Sequence, residues 1–142
     1  MRIAIGCDHA GLALKAEIVG ALESWGHDVA DVGTHTGDSV DYPDFAHQVA
    51  GRVARGEVAL GVLVCGTGQG MAMSANRHEG VRAAVVGDVF SAGMTRRHND
   101  CNVLCLGARV TGGGLALQCV EAWLSAEFEG GRHARRVGKI QG

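Results

Sequence analysis

The chain has 142 residues, of which 46% are hydrophobic, 20% charged and 4% aromatic, with a formal net charge of −2. That balance excludes a disordered chain, and it excludes a nucleic-acid surface, which needs clustered Lys and Arg with stacking aromatics. With no apolar run long enough to span a bilayer and no leader pattern before Met1-Arg2-Ile3-Ala4-Ile5, the expectation is a soluble cytoplasmic protein of one domain, 1–142.

Apolar runs alternate with amphipathic stretches from the start. Arg2–Cys7 reads as a strand, ending in Asp8-His9-Ala10-Gly11. The spacing of Leu14, Ile18, Leu22 and Trp25 predicts a helix with one apolar face, Lys15, Glu17 and Glu23 lying elsewhere, and Gly26 stops it. A second strand follows over 27–32, then a polar loop over 33–41. Pro43 fits the first turn of a helix carrying Phe45, Val49 and Val53 until Gly56. A third strand over 58–64 leads to a glycine loop and a short helix through Asn76. The fourth strand, 81–86, precedes a helix from about Asp88 to Arg97, and the fifth covers 102–106. A helix runs from Leu115 to about Glu127, and a basic, helical tail begins near 130.

Strand and helix alternate throughout, which predicts an α/β fold: a Rossmann-like three-layer sandwich around a five-stranded parallel sheet. In such a sheet the turns after strands one, three, four and five open on the same edge. Asp8, His9, Cys65, Thr67 and the residues after the fifth strand then converge there. The five cysteines (7, 65, 101, 105 and 119) are odd in number and sit mostly in apolar segments, the pattern of reduced thiols. Cys101 and Cys105 have no second pair or paired histidines to complete a zinc set, so no metal site is expected. Cys7, Cys101, Cys105 and Cys119 read as small core residues.

The most informative stretch is Val62-Leu63-Val64-Cys65-Gly66-Thr67-Gly68-Gln69-Gly70-Met71. An apolar strand end runs into three alternate glycines, whose backbone can approach a ligand closely and present successive N–H groups to an anion. The plainest alternative is a tight strand-to-helix turn around an inert thiol. Three chemistries use such a loop. Dinucleotide binding needs G-x-G-x-x-G, and here the third glycine comes one residue early. A cysteine phosphatase needs an arginine fork at the loop's far end, and that place holds Met71. Proton transfer beside a sugar carbonyl needs a base, donors for an enediolate oxygen and cations for a phosphate. Cys65 can supply the base, and Thr67 with the amides of Gly66 to Gly70 the donors. Arg132 and Arg136, four apart, share one helix face and can clamp a phosphate.

Six motifs then fall in order: Asp8-His9-Ala10-Gly11, Asp41-Tyr42-Pro43, Cys65-Gly66-Thr67-Gly68-x-Gly70, His98-Asn99-Asp100, Gly107-x-Arg109-Val110 and Gly130-Gly131-Arg132-His133-x-x-Arg136. Together they resemble the ribose-5-phosphate isomerase B family, which also includes galactose-6-phosphate isomerase subunits. The resemblance implies a cofactor-free aldose–ketose isomerase of the pentose phosphate pathway, acting on ribose 5-phosphate and ribulose 5-phosphate. It implies Cys65 as the base between C1 and C2, Thr67 steadying the enediolate, and His98 as ring-opening acid/base with help from Asp8. It places His9, Arg109, Arg132 and Arg136 on the phosphate, and Tyr42, Asn99 and Gly66, Gly68, Gln69 and Gly70 on sugar oxygens. It also implies a homodimer, or a tetramer built from it, with Cys65 and His98 of one site coming from different chains. One branch of the family replaces the cysteine with a glutamate just past the loop. Met71 stands there in this chain, so the cysteine branch applies.

Other readings stay open at this stage. The substrate could be a hexose 6-phosphate, such as allose or galactose 6-phosphate, or a tetrose phosphate, and a binding module that senses sugar phosphate is the non-enzymatic alternative. Taken outside their motifs, Asp8 and His9 read as helix caps, His98 as a charge partner for a helix C-terminus, and Tyr42 as a packing staple. Arg109 alone is a solvated turn residue, and the Arg132/Arg136 tail a solvated face. His27, His35, His47, His78 and His133 read as surface or structural.

Overall fold

The computed structural model describes residues 1–142. Its strands are β1 (Arg2–Cys7), β2 (Asp28–Gly33), β3 (Leu60–Cys65), β4 (Ala83–Val85) and β5 (Val103–Gly107). They form one sheet, parallel throughout, in the order β2-β1-β3-β5-β4. The helices are α1 (Leu12–Ser24), α2 (Tyr42–Ala54), α3 (Gln69–Ala75), α4 (Val89–Asn99), α5 (Gly113–Ser125) and α6 (Arg132–Val137).

Side chains alternate across a strand, so this sheet sorts its apolar residues into two cores. On one face Ile3, Ile5, Val62, Val64, Leu104 and Leu106 pack against Leu14, Ile18 and Leu22 of α1, Ala92 of α4, and Cys119, Val120 and Trp123 of α5. On the other, Ala4, Leu63, Cys65, Val103 and Cys105 meet α2 and α3 through Ala46, Val49, Ala50, Val53, Met71 and Ala75. Cys65 therefore faces the α2/α3 side, at the carboxyl end of a fully buried strand. The chain runs from β1 outward to β2, then back past β1 to β3, so the connections part between β1 and β3. That divergence leaves a crevice beyond the strand ends, the usual ligand position in open α/β sheets.

The elements match the sequence reading in type and order, and differ at their ends. α1 stops at Ser24, so Trp25 caps it and is 40% exposed instead of extending the apolar face. Lys15, expected off that face, is only 3% exposed. Its ammonium donates to Asp31 Oδ1 (2.8 Å) and to the Thr34 carbonyl (2.7 Å), which makes burial of the charge tolerable. β2 and β5 each run one residue later than expected, and β3 spans Leu60–Cys65 instead of 58–64. β4 shrinks to three residues at the sheet edge. α4 begins after Asp88, whose carboxylate caps it through the Ser91 N–H, and it runs on to Asn99. His98 and Asn99 thus sit in the last helical turn, not in a loop. The helix ends because Asp100 turns left-handed (φ 49°) while accepting from Arg82 and Arg96 at 3.0 and 2.8 Å. α5 begins at Gly113, where a Cβ would collide with the Glu17 carboxylate, and ends at Ser125. α3 ends at Ala75 with Asn76 as its cap.

All five cysteines are free and buried. The Cys101 thiol donates to the Val103 carbonyl. Trp123 is the largest fully buried side chain, and its indole N–H donates to the Cys101 carbonyl at 3.0 Å, tying α5 to the segment before β5. Trp123→Ala removes that volume and leaves a buried carbonyl unpartnered. Urea unfolding at fixed protein concentration is expected to show a loss of about 3–5 kcal/mol; a loss under about 1 kcal/mol would contradict this packing.

Candidate active site

The glycine loop between β3 and α3 is held by backbone contacts on both sides. Gly68 takes φ +82°, and a Cβ on it would lie 3.1 Å from the Leu106 backbone. A Cβ on Gly107 would lie 2.7 Å from Thr67 Cα, so neither position has room for a side chain. The Ala108 N–H donates to the Cys65 carbonyl (2.8 Å) and the Arg109 N–H to the Gly66 carbonyl (3.0 Å). These bonds lay the Arg109 guanidinium along Gly66, where it approaches the glycine closely. Within the loop the Gly68 N–H donates to Cys65 Sγ at 3.1 Å, and the Gln69 N–H to the Thr67 hydroxyl at 3.3 Å. A sulfur carrying negative charge makes the first of these a charge-assisted bond. Cys65 is 6% exposed, while Thr67 and Gln69 are open to solvent.

The opposite wall comes from the turn after β1 and the segment before α2. The Asp8 N–H donates to the Val64 carbonyl, which brings this turn beside the Cys65 strand end. The Asp8 carboxylate caps the following turn through the Ala10 N–H (2.9 Å), so the expected capping role is real and leaves one oxygen free of it. The Val40 N–H donates to His9 Nδ1 at 3.2 Å. An acceptor nitrogen on one side of a neutral imidazole puts the proton on the other, so His9 presents Nε2–H. Tyr42 is the first residue of α2, and its ring lies over Gly70, where any Cβ would overlap it. Asp8, Val40, Asp41, Tyr42 and Pro43 line a cleft of about 410 Å³. Thr67, Gln69, Gly107 and Val110 line another of about 320 Å³.

His98, Asn99, Arg132 and Arg136 form a second group on α4 and α6. His98, Asn99 and Arg136 line a cleft of about 270 Å³ with His133. The His98 and His133 rings stack in parallel, centroids 4.2 Å apart and planes 6° from each other. Burial lowers the His133 pKa from its usual value, with His98 and Arg132 adding to the effect. Glu129 Oε1 lies 3.6 Å from His98 Nε2 and 3.7 Å from His133 Nε2. Arg132 and Arg136 are both exposed. The largest cleft, about 450 Å³, lies beside β4 and takes in Asn99 but neither Cys65 nor His98.

The structure therefore gathers the expected residues into two sets. Asp8 and Tyr42 line one of these clefts and Thr67 and Gln69 another, while Cys65 lines none of them; His98, Asn99 and Arg136 line different ones, so none of these clefts takes residues from both sets. Two neighbours of His98 stand out. His133, read as surface or structural, is buried and stacks on His98, and Glu129, to which the sequence reading gave no role, approaches both rings. Glu129 lies in the irregular segment between α5 and α6, and the chain turns through Gly130 and Gly131, both at positive φ, between it and His133, so spacing alone gave no signal for the contact.

Several known proteins are similar to this chain over nearly its whole length. Ribose-5-phosphate isomerase B of Escherichia coli K12 is 51% identical over 139 residues, covering 98% of this chain and 93% of that protein. D-erythrulose-4-phosphate isomerase of Pectobacterium atrosepticum is 44% identical, covering 99% and 93%. Among solved structures, Clostridium thermocellum ribose-5-phosphate isomerase B superposes with a TM-score of 0.98 at 54% identity, covering 99% of this chain and 95% of that one. Mycoplasma genitalium ribose-5-phosphate isomerase B with bound ribulose-5-phosphate gives 0.95 at 43% identity, covering 98% and 93%. A family model for ribose/galactose isomerases matches residues 3–140, so with its parallel sheet and glycine-lined strand end this chain belongs to that family.

Proposed function

We propose that the protein interconverts ribose 5-phosphate and ribulose 5-phosphate by proton transfer through an enediolate. The observation that carries this reading is Cys65 at the end of β3, its sulfur taking the Gly68 N–H inside the glycine loop. Cys65 as thiolate takes the C2 proton of the open-chain aldose and returns it to C1. The C1 oxygen gains charge as the enediolate forms, the Thr67 hydroxyl with the loop N–H groups stabilises it, and the O2 proton passes to O1 as C1 is protonated. In ring opening His98 takes the proton of the C1 hydroxyl as the bond from C1 to the ring oxygen breaks, and the departing oxygen takes up a proton, with Asp8 assisting. His9 through Nε2–H, Arg109, Arg132 and Arg136 hold the phosphate. Asn99, Tyr42 and the loop from Gly66 to Gly70 position the hydroxyl groups.

Because Cys65 and His98 stand in separate sets on one chain, the complete site is read as formed between two copies. Met73, Val89, Phe90, Val110 and Leu115, on elements leaving the carboxyl ends of the strands, are 40–76% exposed. A second copy covering that rim explains the exposure. A tetrose phosphate is the second reading, favoured by the 44% identity to an erythrulose-4-phosphate isomerase. The expected place of action is the cytoplasm.

Four measurements bear on this reading. Co-refolded equal amounts of Cys65→Ala and His98→Asn chains should regain about a quarter of wild-type turnover, since half the dimers carry one intact site of two. No recovery above the single variants would refute the shared site. Arg132→Ala with Arg136→Ala should raise KM for ribose 5-phosphate by tenfold or more, a loss of about 1.4 kcal/mol or greater. A coupled assay across tetrose, pentose and hexose phosphates should give the highest kcat/KM for the pentose. Thiol chemistry offers the fourth. Burial pushes Cys7 up to about 11, raises Cys101 and Cys119, and raises Cys105 strongly. At pH 8 a thiol of pKa about 11 is only about one part in a thousand thiolate, so iodoacetamide should label Cys65 first. Mass spectrometry showing Cys7 labelled before Cys65 would contradict the assignment.

A further inference from the structure

Glu129, His133 and His98 make an arrangement that isomerisation does not call for. Glu129 Oε1 sits 3.6 Å from His98 Nε2 and 3.7 Å from His133 Nε2, and the ligating atoms of all three lie within 4.8 Å of one another. Bonds of about 2.0–2.1 Å at tetrahedral angles around a zinc ion put neighbouring ligand atoms about 3.4 Å apart. Two of the three separations are thus already within a few tenths of an ångström of that spacing. The His98 and Glu129 side chains are 40% and 51% exposed and are free to close the remainder, while His133 is 11% exposed and fixed.

Other features hold the cluster together in advance. The Glu129 N–H donates to the Arg97 carbonyl at 3.0 Å, which ties the α5–α6 segment to the end of α4. The His98 and His133 rings stack in parallel, so their in-plane lone pairs converge on one ion only when His98, the more exposed ring, turns out of the stack. Two imidazole nitrogens and one carboxylate suit zinc and its first-row neighbours, not magnesium or calcium, which take oxygen ligands. Arg132 and Arg136 nearby lower the affinity for any cation, which fits reversible occupancy better than a resident ion.

We propose that His98, Glu129 and His133 bind a divalent transition-metal ion of the zinc type, and that occupancy inhibits the enzyme by taking His98 out of ring opening. The binding stands on the cluster alone; the inhibition rests on the function proposed above.

The test uses chelator-treated, dialysed wild-type protein titrated with Zn²⁺ by calorimetry, and with Co²⁺ followed by visible absorption. One ion per chain is expected, with tetrahedral cobalt bands and no sulfur charge-transfer band. Glu129→Gln and His133→Gln should each weaken zinc binding at least about tenfold, while Cys65→Ala leaves it unchanged. In turnover assays Glu129→Gln should work at the wild-type rate in chelator and resist zinc at least about tenfold better. The proposal is overturned if wild type binds no zinc at millimolar concentration, if Cys65→Ala abolishes binding, or if Glu129→Gln leaves zinc inhibition unchanged. The calorimetric arm needs no turnover, so a protein that binds zinc as described but does not isomerise pentose phosphates would refute the function and not the site.

Discussion

The constraint on which the structure depends is the contact of two backbones without side chains between them. Gly68 meets Leu106 and Gly107 meets Thr67, so the loop after β3 lies directly on the end of β5. Only a chain with glycine at both places can bring them so close, and only a positive φ at Gly68 can turn the strand into α3 there. The consequence is chemical. The Gly68 N–H turns back to the Cys65 sulfur, the Gln69 N–H to the Thr67 hydroxyl, and Arg109 is carried in by the two bonds that follow β5. A larger residue at either glycine would move the thiol, the hydroxyl and the guanidinium together.

A second set of contacts fixes the other wall. The buried Lys15 ammonium grips the Thr34 carbonyl at the start of the segment after β2, and His9 accepts the Val40 N–H at its end. The segment is polar and exposed between these points, so they set where Tyr42 and α2 begin. Asp31 serves twice, accepting from Lys15 and from the Gly33 N–H, which reduces the desolvation cost of each group. Tyr42 then lies over Gly70 and joins the two walls.

Much of this was legible in the residues. The alternation of apolar runs and amphipathic stretches gave the parallel sheet, because a strand covered on both faces must be apolar throughout, as Leu60–Cys65 is. The strand-end glycines placed Cys65 and Thr67 in one loop. Element ends were less legible, since they are set by single hydrogen bonds. α4 reaches Asn99 because Asp100, held by Arg82 and Arg96, accepts a left-handed turn, and Arg82 lies eighteen residues upstream. Lys15 falls on the apolar stripe with Leu14, Ile18 and Leu22, and its burial depends on Asp31 and Thr34 across the fold. Periodicity shows the stripe but not the partner. His133 escaped notice because a basic, glycine-flanked tail reads as solvated until α6 is seen to stack it on His98.

The two sets also differ in how firmly they are held. The crevice set, carried on β1, β3 and β5, is fixed by strand pairing and close backbone contact, which suits a proton transfer that tolerates little displacement. The other set rides on the last turn of α4 and on α6, a six-residue helix whose arginines are exposed. Exposed side chains on a short helix can shift by an ångström at little cost, whereas Cys65 cannot.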